Sequence, residues 1–107
     1  MSDEVGAVFG ALADPTRRWM VEALLRDGSA TVPALTAELP ITRQAVAKHL
    51  AALDQAGLVE RAPGTGREVV YRLRGSALDP AASWLAEART AWDSRLGRLK
   101  RAVEREA

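Results

Sequence analysis

The chain has 107 residues, 48% of them hydrophobic and 27% charged, so we expect residues 1–107 to form a single domain around one core. The absence of cysteine excludes disulfides, thiolate metal sites and thiol redox chemistry. No apolar run is long enough to span a bilayer and the N-terminus lacks a signal-peptide pattern, so we expect a cytoplasmic protein without membrane contact.

The charges are unevenly distributed, although the net charge is only +1. Residues 1–40 carry three arginines and six acids, and residues 41–75 carry six basic and three acidic residues. Residues 76–107 are close to balanced, with six basic and five acidic side chains. A positive excess in the middle of a chain favours contact with nucleic acid through that part.

Two helices are predicted in the first thirty residues. The first, from Asp3 to Leu12, has one apolar stripe that some other surface must cover. Asp14 before Pro15 marks the start of a second helix, which ends at a glycine turn. We expect the core positions of this helix to be Met20, Val21, Leu24 and Leu25.

The third and fourth predicted helices meet across a short turn. Thr31 is the expected cap of the third helix, and Pro40 ends it. Thr42 is the expected cap of the fourth, over 43–56, which Gly57 closes. Its inward stripe consists of Val46, Leu50 and Leu53, which leaves four polar side chains without a core role: Arg43, Gln44, Lys48 and His49.

Those four polar side chains suit DNA. Arginine and lysine donate to guanine, glutamine pairs bidentately with adenine, and the major groove admits a helix. Thr42 and the first backbone amides of the helix are placed for a phosphate. A solvated helix face is the alternative interpretation of any such charged run.

A β-hairpin is predicted after the fourth helix. Residues 58–61 and Val69–Leu73 have strand patterns, and the connector 63–67 contains one proline and two glycines, which favours a projecting tip. Arg67 at this tip is a candidate contact for the minor groove or its phosphates, with a solvated hairpin arginine as the alternative.

A long helix is predicted from Pro80 onward. Its apolar residues form a narrow seam of the kind that meets another helix: Leu85, Ala88, Trp92, Leu96, Leu99 and Val103. Trp84 and Trp92 lie eight residues apart, where they line either an effector pocket or a packing interface.

Together these elements predict a mostly α fold with a β-hairpin wing, that is, a winged helix-turn-helix with about five helices and a two-stranded wing. We expect a sequence-specific DNA-binding regulator. The lone histidine, His49, makes a poor metal site, and no catalytic motif is present, so neither a metal, a cofactor nor an enzymatic activity is expected. A winged-helix module that binds proteins instead of DNA is the alternative.

Two segments carry a family resemblance. The runs FGALADPTRR at 9–18 and AVAKHLAALDQAGLVER at 45–61, followed by Gly66-Arg67 and Tyr71-Arg72-Leu73, resemble the ArsR family of repressors. The resemblance implies a homodimer, paired through its first and last helices, that blocks transcription from an inverted-repeat operator until a signal releases it.

By this resemblance, the expected contacts to double-stranded DNA are Thr42, Arg43, Gln44, Lys48, His49 and Arg67. The expected dimer contacts are Val5, Val8, Phe9, Leu85, Trp92, Leu96, Leu99 and Val103. Metal-sensing members carry a cysteine motif on the third helix, or His and acid ligands on the last helix. Neither set is present, so metal sensing by these routes is not expected, and any small-molecule effector is left unassigned.

Overall fold

A computed structural model describes residues 2–106 and confirms the predicted class, with five helices and a two-stranded antiparallel sheet in that part of the chain. In chain order the elements are α1 (Asp3–Leu12), α2 (Pro15–Asp27), α3 (Val32–Glu38), α4 (Arg43–Gln55), β1 (Val59–Pro63), β2 (Val69–Leu73) and α5 (Asp79–Glu106).

Four of the helices begin at a side-chain oxygen that accepts the backbone amide three residues further on, which satisfies a donor that has no partner inside the helix. The predicted caps of α2, α3 and α4 are confirmed, and α1 has a fourth cap that the sequence reading missed. The caps and their acceptor distances are Ser2 at 3.2 Å, Asp14 at 2.9 Å, Thr31 at 3.2 Å and Thr42 at 3.1 Å.

The core lies between α1, α2, α3, α4 and the base of the hairpin. Its largest fully buried side chains are Met20, Leu24, Leu35, Leu50, Leu53 and Leu58. The stripe of α1 also packs into it, since Val5 is 5% exposed and Val8 is 1% exposed. This burial leaves Val5 and Val8 almost no surface for a second copy of the chain.

Leu25 departs from the expected core of α2. The prediction that it is buried is wrong, because 62% of the residue is exposed. Leu24 is turned fully into the core, and one residue further along a helix rotates the next side chain by about 100°, toward solvent. Leu25 instead borders a shallow groove that Leu73 and Leu78 also line.

The hairpin starts one residue later than predicted. Leu58 is fully buried and its amide bonds to the Leu53 carbonyl at 3.0 Å, so it completes the turn in which Gly57 adopts φ +79°. The register pairs Val59 with Leu73 and Pro63 with Val69. Pro63 is tolerated at the end of an edge strand, where no ladder donor is required.

A third segment pairs with the hairpin. Ala30, in the loop between α2 and α3, forms an isolated antiparallel bridge with Tyr71 on β2. Two backbone hydrogen bonds of 3.0 Å and 2.8 Å join the two residues. The wing is therefore tied to the helical part of the protein at its base.

The last helix extends away from the core. It has 28 residues and spans about 42 Å at the normal helical rise, and the overall extents are 70 × 26 × 23 Å. Ala81 is the one residue of α5 that the rest of the described chain buries. None of the helices within residues 2–106 combines the length and apolar character required to cross a membrane.

Candidate nucleic-acid interface

The orientation of α4 is set by its core residues. Val46, Leu50 and Leu53 are completely buried, and α3 packs against the same helix through Leu35. Rotation of α4 about its axis would expose these side chains to water, at roughly 1.5–3 kcal/mol for each one. The opposite side of α4 is therefore held toward solvent.

Four of the predicted contact residues are exposed, Gln44 and Lys48 on that solvent side and Thr42 and Arg43 at the start of the helix. The Thr42 hydroxyl oxygen accepts the Ala45 amide, which leaves the hydroxyl hydrogen free to donate to an anion. The first amides of α4 point out of its N-terminal end and favour negative charge there. The start of α4 thus combines phosphate donors with two side chains suited to base edges, Arg43 and Gln44.

His49 is placed differently from the other candidates. Its side chain is only 25% exposed, and its Nδ1 lies 3.9 Å from Oδ2 of Asp14. A hydrogen bond from the Arg17 amide, aided by the nearby His49, holds the pKa of Asp14 below its ordinary value of 3.8. His49 consequently contacts α2 of the same chain as well as bordering the exposed side of α4.

The wing ends in a tight, glycine-dependent tip. The Gly64 amide bonds to the Glu68 carbonyl at 2.8 Å, and Gly66 has φ +64°, a conformation that other residues rarely adopt. Arg67 follows directly and is exposed, as predicted. The tip therefore holds an arginine on a short, turned backbone.

Arg61 is a basic residue of the wing that sequence reasoning missed. It is exposed on β1 and lines the same shallow concavity as Arg67. Strand alternation did not indicate its exposure, because Arg61 lies on the same face of β1 as the buried Val59. Arg72, in contrast, is paired with Glu60 at 2.9 Å, which neutralises its charge.

Arg17 and Arg18, next to the partly buried Trp19, have a structural use. Arg17 Nε donates to the Ala11 carbonyl at 2.7 Å, and Arg18 Nη1 donates to the Leu12 carbonyl at 2.8 Å. Both cations therefore satisfy carbonyl groups at the C-terminal end of α1, where positive charge is favourable.

The two tryptophans of α5 do not share a pocket. Trp84 makes an edge-to-face contact with Phe9, with ring centroids 5.7 Å apart and an angle of 73° between the rings. Trp92 lies about 12 Å further along the helix axis, on the projecting part. Residues 2–106 also contain no cluster of three or more His, Cys, Asp or Glu side chains that is arranged to hold a metal ion.

Known proteins share both the sequence pattern and the fold. Residues 12–62 match a family model described as a helix-turn-helix domain. The HTH-type transcriptional regulator CmtR of Mycobacterium tuberculosis is 43% identical over 84 residues, which cover 78% of this chain and 70% of CmtR.

Two solved structures extend the similarity to almost the whole chain. An ArsR-like transcriptional regulator from Rhodococcus sp. RHA1 superposes with a TM-score of 0.79 and 41% identity, covering 92% of this chain and 91% of that one. Mb0332 from Mycobacterium bovis, described as a homodimeric winged helix-turn-helix DNA-binding domain, superposes with a TM-score of 0.63 and 28% identity, covering 88% and 82%.

Proposed function

The chain belongs to the ArsR family of helix-turn-helix transcriptional regulators, and we propose that it is a homodimeric repressor that binds an inverted-repeat operator through the exposed side of α4. The observation that carries this proposal is the exposed group of Arg43, Gln44 and Lys48 on a helix whose opposite side is fully buried. Such a helix presents the same polar side chains to DNA in every molecule.

Within this proposal some α4 side chains contact bases and others contact phosphates. Gln44 pairs with adenine and Arg43 with guanine in the major groove, where both contacts discriminate between bases. Lys48 binds a phosphate, as do Thr42 and the first amides of α4, and these contacts fix the position of the helix. The half-buried place of His49 beside Asp14 supports a role in holding α4 in position.

The wing supplies a second contact. Arg67 at the tip, with Arg61 on the same concavity, is proposed to reach the minor groove or its phosphates next to the α4 site. Arg61 and Arg67 are the basic residues that line this concavity, whereas Arg72 lies outside it and is paired with Glu60.

The exposed seam of α5 supports the homodimer. Leu85, Trp92 and Leu96 are each more than a third exposed, and a continuous apolar row on a projecting helix is typical of an interface. A two-fold dimer presents two copies of α4 to half-sites one helical turn apart, about 34–36 Å. The lack of cysteine supports release by a signal other than a thiolate-bound metal.

The direct test is fluorescence anisotropy with DNA from the region upstream of the protein's own coding sequence, across a salt series and with unrelated DNA as competitor. The expected result is tight, competitor-resistant binding with a steep salt slope. Lys48→Ala is expected to lower the affinity on all sequences and to reduce the salt slope by about one. Gln44→Ala is expected to relax the preference for the operator instead.

The matched control is Arg101→Ala, which removes one positive charge from the exposed side of α5, away from the apolar seam. It should leave both affinity and salt slope unchanged. Weak, equal binding to every sequence by the unmodified protein would contradict the proposal and favour a protein-binding module. Repression itself is tested by transcription in vitro from the bound promoter, where fewer transcripts are expected as the regulator is added.

The dimer has its own test. Leu96→Asp places a charge in the α5 seam and should give monomers in sedimentation equilibrium, with loss of tight operator binding. Arg101→Ala again serves as the control on the same helix. A Leu96→Asp protein that stays dimeric and fully active would exclude α5 as the interface.

A further inference from the structure

One acidic side chain lies among the basic residues of the wing concavity. The charged residues that line it are Arg61, Arg67 and Glu68, and all three are exposed. Within residues 2–106 the Glu68 carboxylate forms no ion pair, so both of its oxygens are free to accept hydrogen bonds. Phosphates repel a carboxylate, and its place on a surface proposed to face DNA is unfavourable unless it makes a favourable contact of its own.

The wing tip gives Glu68 a defined place. Its amide donates to the Thr65 carbonyl at 3.1 Å, and its carbonyl accepts the Gly64 amide at 2.8 Å. The side chain lies directly over Gly64, because a methyl group added at Gly64 would come within 3.0 Å of Glu68 Oε2 and 3.2 Å of Glu68 Cβ. Unlike Gly66, Gly64 does not have a positive φ. Glycine at position 64 therefore serves to make room for the Glu68 side chain.

The minor groove offers a carboxylate one favourable partner. An ionised carboxylate accepts hydrogen bonds and cannot donate them. The A·T pair presents only acceptors in the minor groove, adenine N3 and thymine O2, whereas the G·C pair adds the N2 amino group of guanine as a donor. A carboxylate that enters this groove is therefore attracted by a G·C pair and repelled by an A·T pair.

We propose that Glu68 determines the sequence specificity of the wing by accepting a hydrogen bond from the N2 amino group of a guanine, while Arg61 and Arg67 bind neighbouring phosphates. This role rests on the proposed contact of the wing with the minor groove. The two arginines line the same concavity, so their charges offset that of the carboxylate near DNA. Arginine in the minor groove favours narrow A·T tracts, and Glu68 gives the wing the opposite preference.

Inosine in the operator removes the proposed donor. An I·C pair has the major-groove groups of G·C but lacks the N2 amino group. The operator fragment is synthesised with G·C, I·C or A·T at each base pair that flanks the α4 half-site, and affinities are measured by fluorescence anisotropy. At one position in each half-site, the unmodified protein is expected to bind the G·C fragment about tenfold more tightly than the I·C fragment, a loss typical of one hydrogen bond to a charged group.

Variants of the wing test whether the carboxylate causes this preference. Glu68→Ala should bind the G·C and I·C fragments equally. Glu68→Gln keeps a carbonyl acceptor without the charge and should retain a smaller preference for G·C. Gly64→Ala should also reduce the preference, because the added methyl group displaces the Glu68 side chain. Glu87→Ala removes an exposed carboxylate from α5, so it is the matched control and should keep the full preference.

The outcomes separate the role of Glu68 from the proposed function. Weak and equal binding of the unmodified protein to operator and unrelated DNA would overturn the proposed function, and the role of Glu68 with it. Tight operator binding that is equal with G·C and I·C at every flanking position would overturn the role of Glu68 alone. A Glu68→Ala protein that still prefers G·C to I·C would do the same, because the preference would then have another source.

Discussion

His49 on α4 lies with its Nδ1 3.9 Å from Oδ2 of Asp14, the residue that caps α2. The same carboxylate oxygen accepts the Arg17 amide at 2.9 Å. The Asp14 carboxylate therefore caps the start of α2 and also lies beside the middle of the helix that carries the proposed base contacts.

Acid should weaken the fold partly through Asp14. Its pKa is lowered in the folded protein, so the ionised carboxylate stabilises the fold above its ordinary pKa of 3.8, and this contribution disappears as the pH falls through the folded-state value. Asp14→Asn keeps a capping oxygen and removes the charge. Urea midpoints measured from about pH 6 to about pH 2 should fall less steeply in this variant than in the unmodified protein.

Glu22→Gln, on the exposed side of α2, is the control for that measurement. Its urea midpoint should fall with decreasing pH as steeply as that of the unmodified protein. Equal slopes for Asp14→Asn and the unmodified protein would show that the Asp14 charge contributes nothing to acid sensitivity.

Replacement of Arg17 should destabilise the fold. Arg17→Ala leaves the Ala11 carbonyl without its 2.7 Å donor, and we expect the free energy of unfolding to fall by about 1–2 kcal/mol. Urea titration gives this value. Arg101→Ala removes an arginine from the exposed side of α5 and should cost less than about 0.5 kcal/mol when compared at equal dimer concentration. Similar losses for both would argue against the capping role.

Loss of the α4 cap should lower the free energy of unfolding by a comparable amount. Thr42→Ala is expected to lower the free energy of unfolding by about 1 kcal/mol, since the Ala45 amide loses its acceptor, and Thr42→Ser should restore most of it. Thr90→Ala is the matched control in a helix interior. There the Thr90 hydroxyl bonds back to the Ala86 carbonyl, and alanine has the higher helix propensity, so no loss is expected.

Truncation of two adjacent leucines of α2 should lower the free energy of unfolding by very different amounts. Leu24 is 2% exposed, and Leu24→Ala is expected to cost about 2–5 kcal/mol through lost contacts and a cavity. Leu25→Ala removes the same atoms from an exposed position and should cost less than about 1 kcal/mol. Chemical denaturation of the two variants compares them directly, and equal losses would contradict the placement of Leu25.

The wing should contribute charge without contributing stability. Arg67→Ala is expected to weaken operator binding and lower the salt slope by about one, with an unchanged urea midpoint, because Arg67 is exposed at the tip. A Glu60→Gln/Arg72→Gln protein removes the neutral pair from the same hairpin at constant net charge and should leave the salt slope intact. A salt slope unaffected by Arg67→Ala would remove the wing tip from the interface.

Local chemistry explains why most of the fold is predictable from the sequence. Asp14-Pro15 fixes the start of α2 through a cap and a preset φ, and Gly57 fixes the end of α4 because its φ is positive. These signals act within four residues and are readable without knowledge of the tertiary structure. The exposed positions of Arg43, Gln44 and Lys48 were predictable because the helical period assigns Val46, Leu50 and Leu53 to the buried stripe of α4.

Contacts between distant residues were not predictable. The Asp14 to His49 pair joins positions 35 residues apart, and the Ala30 to Tyr71 bridge joins positions 41 apart. No periodic pattern encodes either contact, because each depends on how complete elements pack. Leu25 was misplaced for the same reason, since the width of the buried face of α2 is set by its neighbours and not by its own sequence.

The Ala30 to Tyr71 bridge also affects the thermodynamics of DNA recognition. Because β2 is joined by two backbone hydrogen bonds to the loop that leads into α3, the base of the wing cannot shift relative to the helices without breaking both. The spacing between the wing and α4 is thus settled before any ligand arrives. In the proposed DNA complex, little conformational entropy is then lost when α4 and the wing bind, and that loss is confined to the glycine-containing tip around Arg67.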